Sequence, residues 1–401
     1  MKKKYSVIQV INRMAPEFGG ISRSAFGVMG MMRESSNSFE TTPDIEISTS
    51  ELSSTEQEDI RRDPDTLAIA EAMPLTLIEP VDSADADASA SGNTWGIEAV
   101  GADTSGFDGS GVKVAVLDTG IDPNHSAFAG MLLTRKNFTQ EVDDDIHGHG
   151  THCAGTIFGR DVDGTRIGVA RGVDHAIIGK VLGSGGGSST DIVSAIEWAM
   201  EEGANVISMS LGIDFPGYVK FLMDAHGLET EPATSIALEG YRANINLFNS
   251  LASLVNAKGN FGKSGIIVAA SGNESNRPQY EVAVAPPASA TGILAVGAVG
   301  EEGANLKVAP FSNTKPNIVG PGVGVVSAKA GGGLRSLSGT SMATPHVAGV
   351  AALWAQMISA QFGSLDASIL EARLIASGDH SRFATQGELV DLGNGLVQAP
   401  Q

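Results

Sequence analysis

Five short stretches of almost uninterrupted apolar residues, at positions 112–117, 176–182, 206–209, 266–270 and 293–299, constrain this chain more than any other feature. A strand with one wet face alternates apolar and polar side chains. A run without alternation is buried on both faces, as strands of a parallel sheet are. Parallel strands need crossover connections. The intervening segments supply them: residues 190–200, for example, place Ile192, Ile196 and Ala199 on one helical face. From residue 94 to 401 the expectation is therefore an α/β fold, a doubly wound, mostly parallel sheet with flanking helices. Ligands bind such sheets at the carboxyl ends of the strands, so functional side chains are sought just after the apolar runs. The sequence shows no internal repeat.

The first 80 residues read differently, as a small α+β unit. Residues 4–11 and 45–50 have strand character and residues 21–34 helical character. Ser54, with Glu56 and Glu58 in the first turn, opens a short helix that ends near Asp63-Pro64. Residues 67–78 are extended, interrupted by Pro74. Between 81 and 93 Asp, Ala, Ser and Gly take over, as in a flexible, protease-accessible linker. The opening Met1-Lys2-Lys3-Lys4 resembles the charged start of a secretion signal. The apolar stretch that follows is short, holds Ser6 and Gln9, and runs into Asn12-Arg13 without a small-residue cleavage site, so it is read as a strand.

No run is long enough to span a membrane. The single cysteine, Cys153, leaves no partner for an intrachain disulfide and fits a reducing compartment, which favours a cytoplasmic over a secreted setting. A formal net charge of -20 argues against nucleic-acid binding and against anionic surfaces.

Three positions then carry candidate chemistry. Asp118 follows the first apolar run, in Leu117-Asp118-Thr119-Gly120; alone it reads equally well as the start of a turn. His149 lies in His147-Gly148-His149-Gly150-Thr151-His152-Cys153-Ala154-Gly155-Thr156, where flanking glycines free the backbone to aim the ring. Three histidines so close raise a metal reading. Their spacing of i, i+2, i+5 does not set two ligands on one helical face, so His147 and His152 are read as structural and no metal is assigned. Ser341 lies in Ser338-Gly339-Thr340-Ser341-Met342-Ala343-Thr344-Pro345-His346-Val347-Ala348-Gly349, ahead of a helical apolar pattern. It stands at a helix start, with free N–H groups beside it, and Pro345 is expected in the first turn.

In this order the three motifs resemble the subtilisin-like serine proteases, over about residues 93–401. The resemblance implies Ser341 as nucleophile, His149 as the base that takes its proton, and Asp118 as the group that orients His149. It implies Asn273, in Ser271-Gly272-Asn273-Glu274 after an apolar run, as an oxyanion-hole donor together with the N–H of Ser341. It places substrate-binding edges at residues 183–188, including Gly185 and Gly186, and at Ser210, Leu211 and Gly212, between which an extended substrate adds as a strand. Glu274, near the pocket for the residue before the cut, is compatible with basic side chains there. Thiol-sensitive members of the family carry a cysteine where Cys153 stands.

By the same resemblance residues 1–80 are an inhibitory propeptide, cleaved between about Met73 and Asn93 and acting as an intramolecular inhibitor of a self-processing zymogen. Its partners are then protein or peptide substrates, with no nucleic acid or membrane. Two alternatives stay open: a dedicated maturation protease or transpeptidase with one partner peptide, and a catalytically silent scaffold. Catalysis needs no cofactor. Structural calcium is possible, although Ala127 stands where the family's tight site has an aspartate; Asp143-Asp144-Asp145 and Asp161-Val162-Asp163 read as solvated acidic loops. Residues 213–262 are longer than usual for the family, with a helix over 234–255 whose stripe of Ile236, Tyr241, Ile245, Phe248, Ala252 and Val255 is expected to pack on the body.

Overall fold

The computed structural model describes residues 2–11, 44–81, 91–257, 264–383 and 389–401, so the helix expected over 21–34 lies outside the described residues. The apolar runs become one sheet. In spatial order its strands are Asn305–Val308, Ile293–Glu302, Ile266–Ala270, Val206–Met209, Val114–Asp118, His175–Lys180 and Leu132–Asn137, with Ile318–Pro321 also paired to Ile293–Glu302. Every pairing is parallel except that of Asn305–Val308. Leu132–Asn137 has no apolar run because it is an edge strand with half of its side chains exposed.

The missing alternation has the expected cause. Val114 and Val116 enter a core shared with the helices His149–Phe158 and Thr340–Phe362, while Ala115 and Leu117 enter one shared with Ser189–Glu201 and Thr230–Asn256. Each fully buried large side chain, such as Leu117 or Ile177, contributes roughly 1.5–3 kcal/mol. Strand Val114–Asp118 lies between strands reached by connections on opposite sides, Val206–Met209 and His175–Lys180. That is the topological switch point, where the crevice of an open α/β sheet opens. Asp118 is the last residue of this strand.

The N-terminal strands form a separate antiparallel sheet, ordered Asp44–Leu52, Lys3–Ile11, Thr66–Glu71. Helix Ser54–Arg62 starts under a capping box in which the Ser53 side chain accepts from the Glu56 N–H and Glu56 reaches back to the Ser53 N–H. This sheet lies on the two helices of the second core. Ile8, Ala68 and Ala70 share a cluster with Trp198 and Phe248, and Lys4 Nζ pairs with Asp191 at 2.9 Å.

The long helix is Thr230–Asn256, preceded by Phe215–His226, which Asp214 caps at 2.9 Å and Gly227 ends in the left-handed region. The stripe read from sequence is partly corrected. Phe248, Ala252 and Val255 are buried, but Ile236 is 42% exposed, and the buried line passes instead through Ala233, Ala237 and Asn244. The reason is tertiary: Ala233 and Ala237 pack with Leu222 of the helix Phe215–His226, and further along Asn244 Nδ2 donates to the Glu71 carbonyl of the N-terminal unit at 3.0 Å. Among the described residues no helix is long and apolar enough to cross a membrane.

Candidate active site

Asp118 and His149 meet at the carboxyl edge of the sheet. Asp118 Oδ1 accepts from the Thr119 N–H at 2.7 Å and faces His149 Nδ1 at 2.8 Å, both side chains buried. The carboxylate fixes the proton on Nδ1 and leaves the lone pair on Nε2, which has no hydrogen-bond partner. Burial, the largest single effect, disfavours the imidazolium, but the charge and hydrogen bond of Asp118 together with the adjacent Cys153 outweigh it and hold the His149 pKa well above 6.5. The flanking glycines have specific uses: Gly148 takes φ 84 at the N-cap of the helix, and a Cβ on Gly150 would collide with the carbonyl oxygen of Gly120.

Ser341 is the second residue of helix Thr340–Phe362, so its N–H has no partner in the helical ladder. Pro345 lies inside the helix rather than in its first turn. Its missing N–H frees the carbonyl four residues earlier, that of Ser341. Two neighbours take that carbonyl up: Ser210 Oγ donates to it at 3.3 Å and Cys153 Sγ at 3.4 Å. The break in the ladder thus ties the serine to the base of the cleft.

Asn273 follows strand Ile266–Ala270, and its side chain is aimed by its own oxygen. Oδ1 accepts from Thr340 N–H and Thr340 Oγ1, each at 2.9 Å. The amide Nδ2 then points into the cleft and donates to the Glu79 carbonyl at 2.8 Å. The carboxylate of Glu274 is engaged by Asn313 Nδ2 at 2.6 Å.

The cleft is filled by the chain itself. Pro74–Leu77 forms the middle strand of an antiparallel sheet between Gly187–Ser188 and Leu211–Gly212. On the first edge the ladder is made by Gly187 and Ser188 rather than by Gly185 and Gly186, because Gly183 and Gly186 close a turn and Gly185 is exposed at its tip. Gly186 still lies against the strand, since a Cβ there would stand 2.6 Å from the Leu75 carbonyl. On the other edge Ser210 accepts from the Ile78 N–H at 3.3 Å. Ser341 Oγ donates to the Ile78 carbonyl at 2.8 Å, so its hydrogen does not point at His149.

His152 is buried and structural, its Nε2 at 3.1 Å from the Val325 carbonyl, with its pKa lowered to about 3 chiefly by burial. His147 is not structural: its ring is 45% exposed at the cleft mouth, 3.7 Å from the Glu79 carboxylate. Neither belongs to the group whose ligand-type atoms lie within 4.8 Å of one another, Asp118, His149 and Cys153. Burial raises the Cys153 pKa and keeps the thiol neutral, with Sγ 3.7 Å from His149 Nδ1. A bulky mercurial on Cys153 is therefore expected to displace His149 and abolish hydrolysis; full activity with the thiol modified would contradict this.

Asp145 acts where a solvated acidic loop was expected. Asp145 is 6% exposed and accepts from five donors: Thr119 Oγ1, His147 N, Gly148 N, Thr151 N and Thr151 Oγ1. It joins the end of the Asp118 strand to the start of the His149 helix. Burial would raise its pKa, but the bonds from Thr151, Gly148 and Thr119 outweigh it and hold it below the ordinary range. The stabilisation is therefore present above the ordinary carboxylate pKa and lost as pH falls through the lowered folded value. Asp145→Ala, measured by urea unfolding in a Ser341→Ala background, is expected to cost at least about 3 kcal/mol because it strands several buried donors; a loss under about 1 kcal/mol would refute the role. Glu141 braces the substrate edge. It accepts from Ser184 N and Oγ at 2.7 Å and pairs with buried Lys180 at 3.4 Å. Its position, far from either glycine segment in sequence, carries no local signal of that task.

A sequence model of the subtilase family matches residues 109–388. The chain is 33% identical over 272 residues to "Subtilisin-like protease 6" of Arthroderma gypseum, covering 65% of this chain and 58% of that protein. It is 33% identical over 261 residues to "Intracellular serine protease" of Paenibacillus polymyxa, covering 63% and 69%. It is 31% identical over 370 residues to "Thermostable alkaline protease" of Halalkalibacterium halodurans, covering 90% and 83%. The chain thus spans less than two thirds of the first relative and most of the last. The family match encloses Asp118, His149, Asn273 and Ser341, and the chain belongs to the subtilase family.

Proposed function

We propose that this chain is a serine endopeptidase, made as a zymogen, that hydrolyses peptide bonds of protein or peptide substrates through an acyl-enzyme. The observation that carries the reading is a buried Asp118–His149 pair with a free Nε2, next to a helix-start serine whose hydroxyl touches the carbonyl of a strand held in the cleft. A serine hydroxyl is a weak nucleophile until a base takes its proton. In the proposed roles His149 Nε2 takes that proton from Ser341 Oγ and delivers it to the leaving amine, while Asp118 stabilises the imidazolium. Asn273 Nδ2 and the Ser341 N–H stabilise the oxyanion. Residues 1–80 act as the intramolecular inhibitor, and the strand at 74–77 stands where an extended substrate adds.

The test is fluorophosphonate labelling of the processed protein with casein hydrolysis alongside. Labelling confined to Ser341 and hydrolysis lost with the label support the reading; a processed protein that does neither sinks it. The raised His149 pKa sets a further expectation. Only neutral imidazole accepts the proton, so kcat/KM should rise with pH through that pKa, with the midpoint of the acid limb above about 6.5. A midpoint below that value would contradict the raised His149 pKa.

A further inference from the structure

We propose that the maturation cut falls between Ile78 and Glu79, making Ile78 the acyl residue and Glu79 the first residue of the mature chain. This rests on the endopeptidase reading above and adds the bond and the side chain recognised.

The frame of the cleft strand counts out the position. Leu75 lies opposite Gly187, Thr76 opposite Gly212 and Leu77 opposite Leu211, and the next N–H, that of Ile78, donates to the Ser210 carbonyl. Side-chain burial follows the same count. Met73, Leu75 and Ile78 are buried, at 1%, 1% and 5%, whereas Thr76 and Glu79 are exposed. The Ile78 side chain lies against this edge: a Cβ on Gly212 would stand in ordinary van der Waals contact with Ile78 Cδ1, at 3.6 Å. The carbonyl that Ser341 Oγ touches is that of Ile78.

The competing bond is Glu79–Pro80, whose carbonyl meets Asn273 Nδ2. Two features exclude it. Its leaving nitrogen is the ring nitrogen of proline, which carries no hydrogen and is sterically fixed. The Glu79 side chain also has no seat in the cleft; it is exposed, with its carboxylate toward His147.

The same contacts explain how the uncut chain persists. The serine hydrogen is spent on the Ile78 carbonyl rather than on His149 Nε2, and the Asn273 amide holds the carbonyl one residue downstream. Cutting requires Asn273 Nδ2 to pass from the Glu79 oxygen to the Ile78 oxygen and Oγ–H to turn to Nε2. Ser341 Oγ then bonds to the Ile78 carbonyl carbon as its proton moves to His149. The C–N bond to Glu79 breaks as that proton passes to the Glu79 nitrogen. Water, deprotonated by His149, displaces the ester and returns Ser341 Oγ–H, leaving a carboxylate on Ile78 and an amine on Glu79.

The experiment is a time course of the full chain by intact mass and N-terminal sequencing, read at the first detectable products, with Ser341→Ala as the uncut control. Fragments 1–78 and 79–401 are expected. A first new N-terminus at any other residue overturns the proposal. Ile78→Val should process within about 3-fold of wild type, and Ile78→Asp at least about 100-fold more slowly, because a carboxylate cannot be buried unpaired in an apolar seat; wild-type processing of Ile78→Asp overturns the seat. A carboxylate at 78 also loosens docking of the N-terminal unit, so a synthetic peptide of residues 73–84 is given in trans to processed wild-type protein. A single cut after Ile78 is expected, and a cut elsewhere overturns the proposal. A protein that labels at Ser341 but processes elsewhere, or not at all, removes this inference alone; one that neither labels nor processes removes the endopeptidase reading with it.

Discussion

Ser341→Ala should leave a folded chain that neither reacts with a fluorophosphonate nor processes itself, with kcat on a peptide substrate lowered about a million-fold. The size is borrowed from subtilisin itself, where removing the serine or the histidine alone costs about 2 × 10⁶ in kcat. It applies here because, among the described residues, the geometry offers no second nucleophile at the same carbonyl. The group touching the Ile78 carbonyl is Ser341 Oγ at 2.8 Å, and the neighbouring thiol of Cys153 is buried, neutral and engaged with the Ser341 carbonyl. Stability should change little, since the lost hydroxyl makes one hydrogen bond, to a residue of the N-terminal unit. The check is intact mass with active-site labelling, alongside thermal unfolding of both proteins. Residual processing within about 100-fold of wild type would point to another nucleophile and remove the assignment.

Asn273→Ala should lower kcat by about 10²–10³ with KM nearly unchanged, equivalent to about 2.7–4 kcal/mol of transition-state stabilisation. That range was also measured on subtilisin, for its own oxyanion-hole asparagine. The geometric reason is that Oδ1 is held by Thr340 from two sides, so Nδ2 is aimed before any substrate arrives. A preorganised donor acts on charge that develops in the transition state, which places the effect in kcat. Thr340→Val, which removes one of the two bonds that aim the amide and keeps the backbone one, should give a smaller loss in the same parameter. A change confined to KM in Asn273→Ala would mean that the amide serves ground-state binding instead.

Much of the sheet was legible. The runs at 206–209 and 266–270 coincide with strands, and those at 112–117, 176–182 and 293–299 overlap strands within a few residues. Burial on both faces imposes an apolar side chain at each position, so the pattern is local. Leu132–Asn137 leaves no apolar run because it is an edge strand with half of its side chains exposed, whereas the helix Phe215–His226 does carry a helical stripe, Phe215, Tyr218, Val219, Leu222 and Met223, packed on the start of the long helix. Asp145 was misread for a related reason. An acidic run looks the same in sequence whether its carboxylates meet water or donors from the end of a strand, their own loop and the start of a helix.

The sequence by itself determined the class of sheet and the identities of the residues gathered at its carboxyl edge. Backbone patterning and the short motifs around Asp118, His149 and Ser341 depend on near neighbours alone. The resemblance put the cut somewhere between Met73 and Asn93; only the tertiary structure decided the register in the cleft, with Ser341 bound to a carbonyl 263 positions away and Asn273 bound to the next one. Contacts of that range follow from how whole surfaces pack, here an N-terminal sheet on two helices, and no window of sequence holds both sides of such an interface.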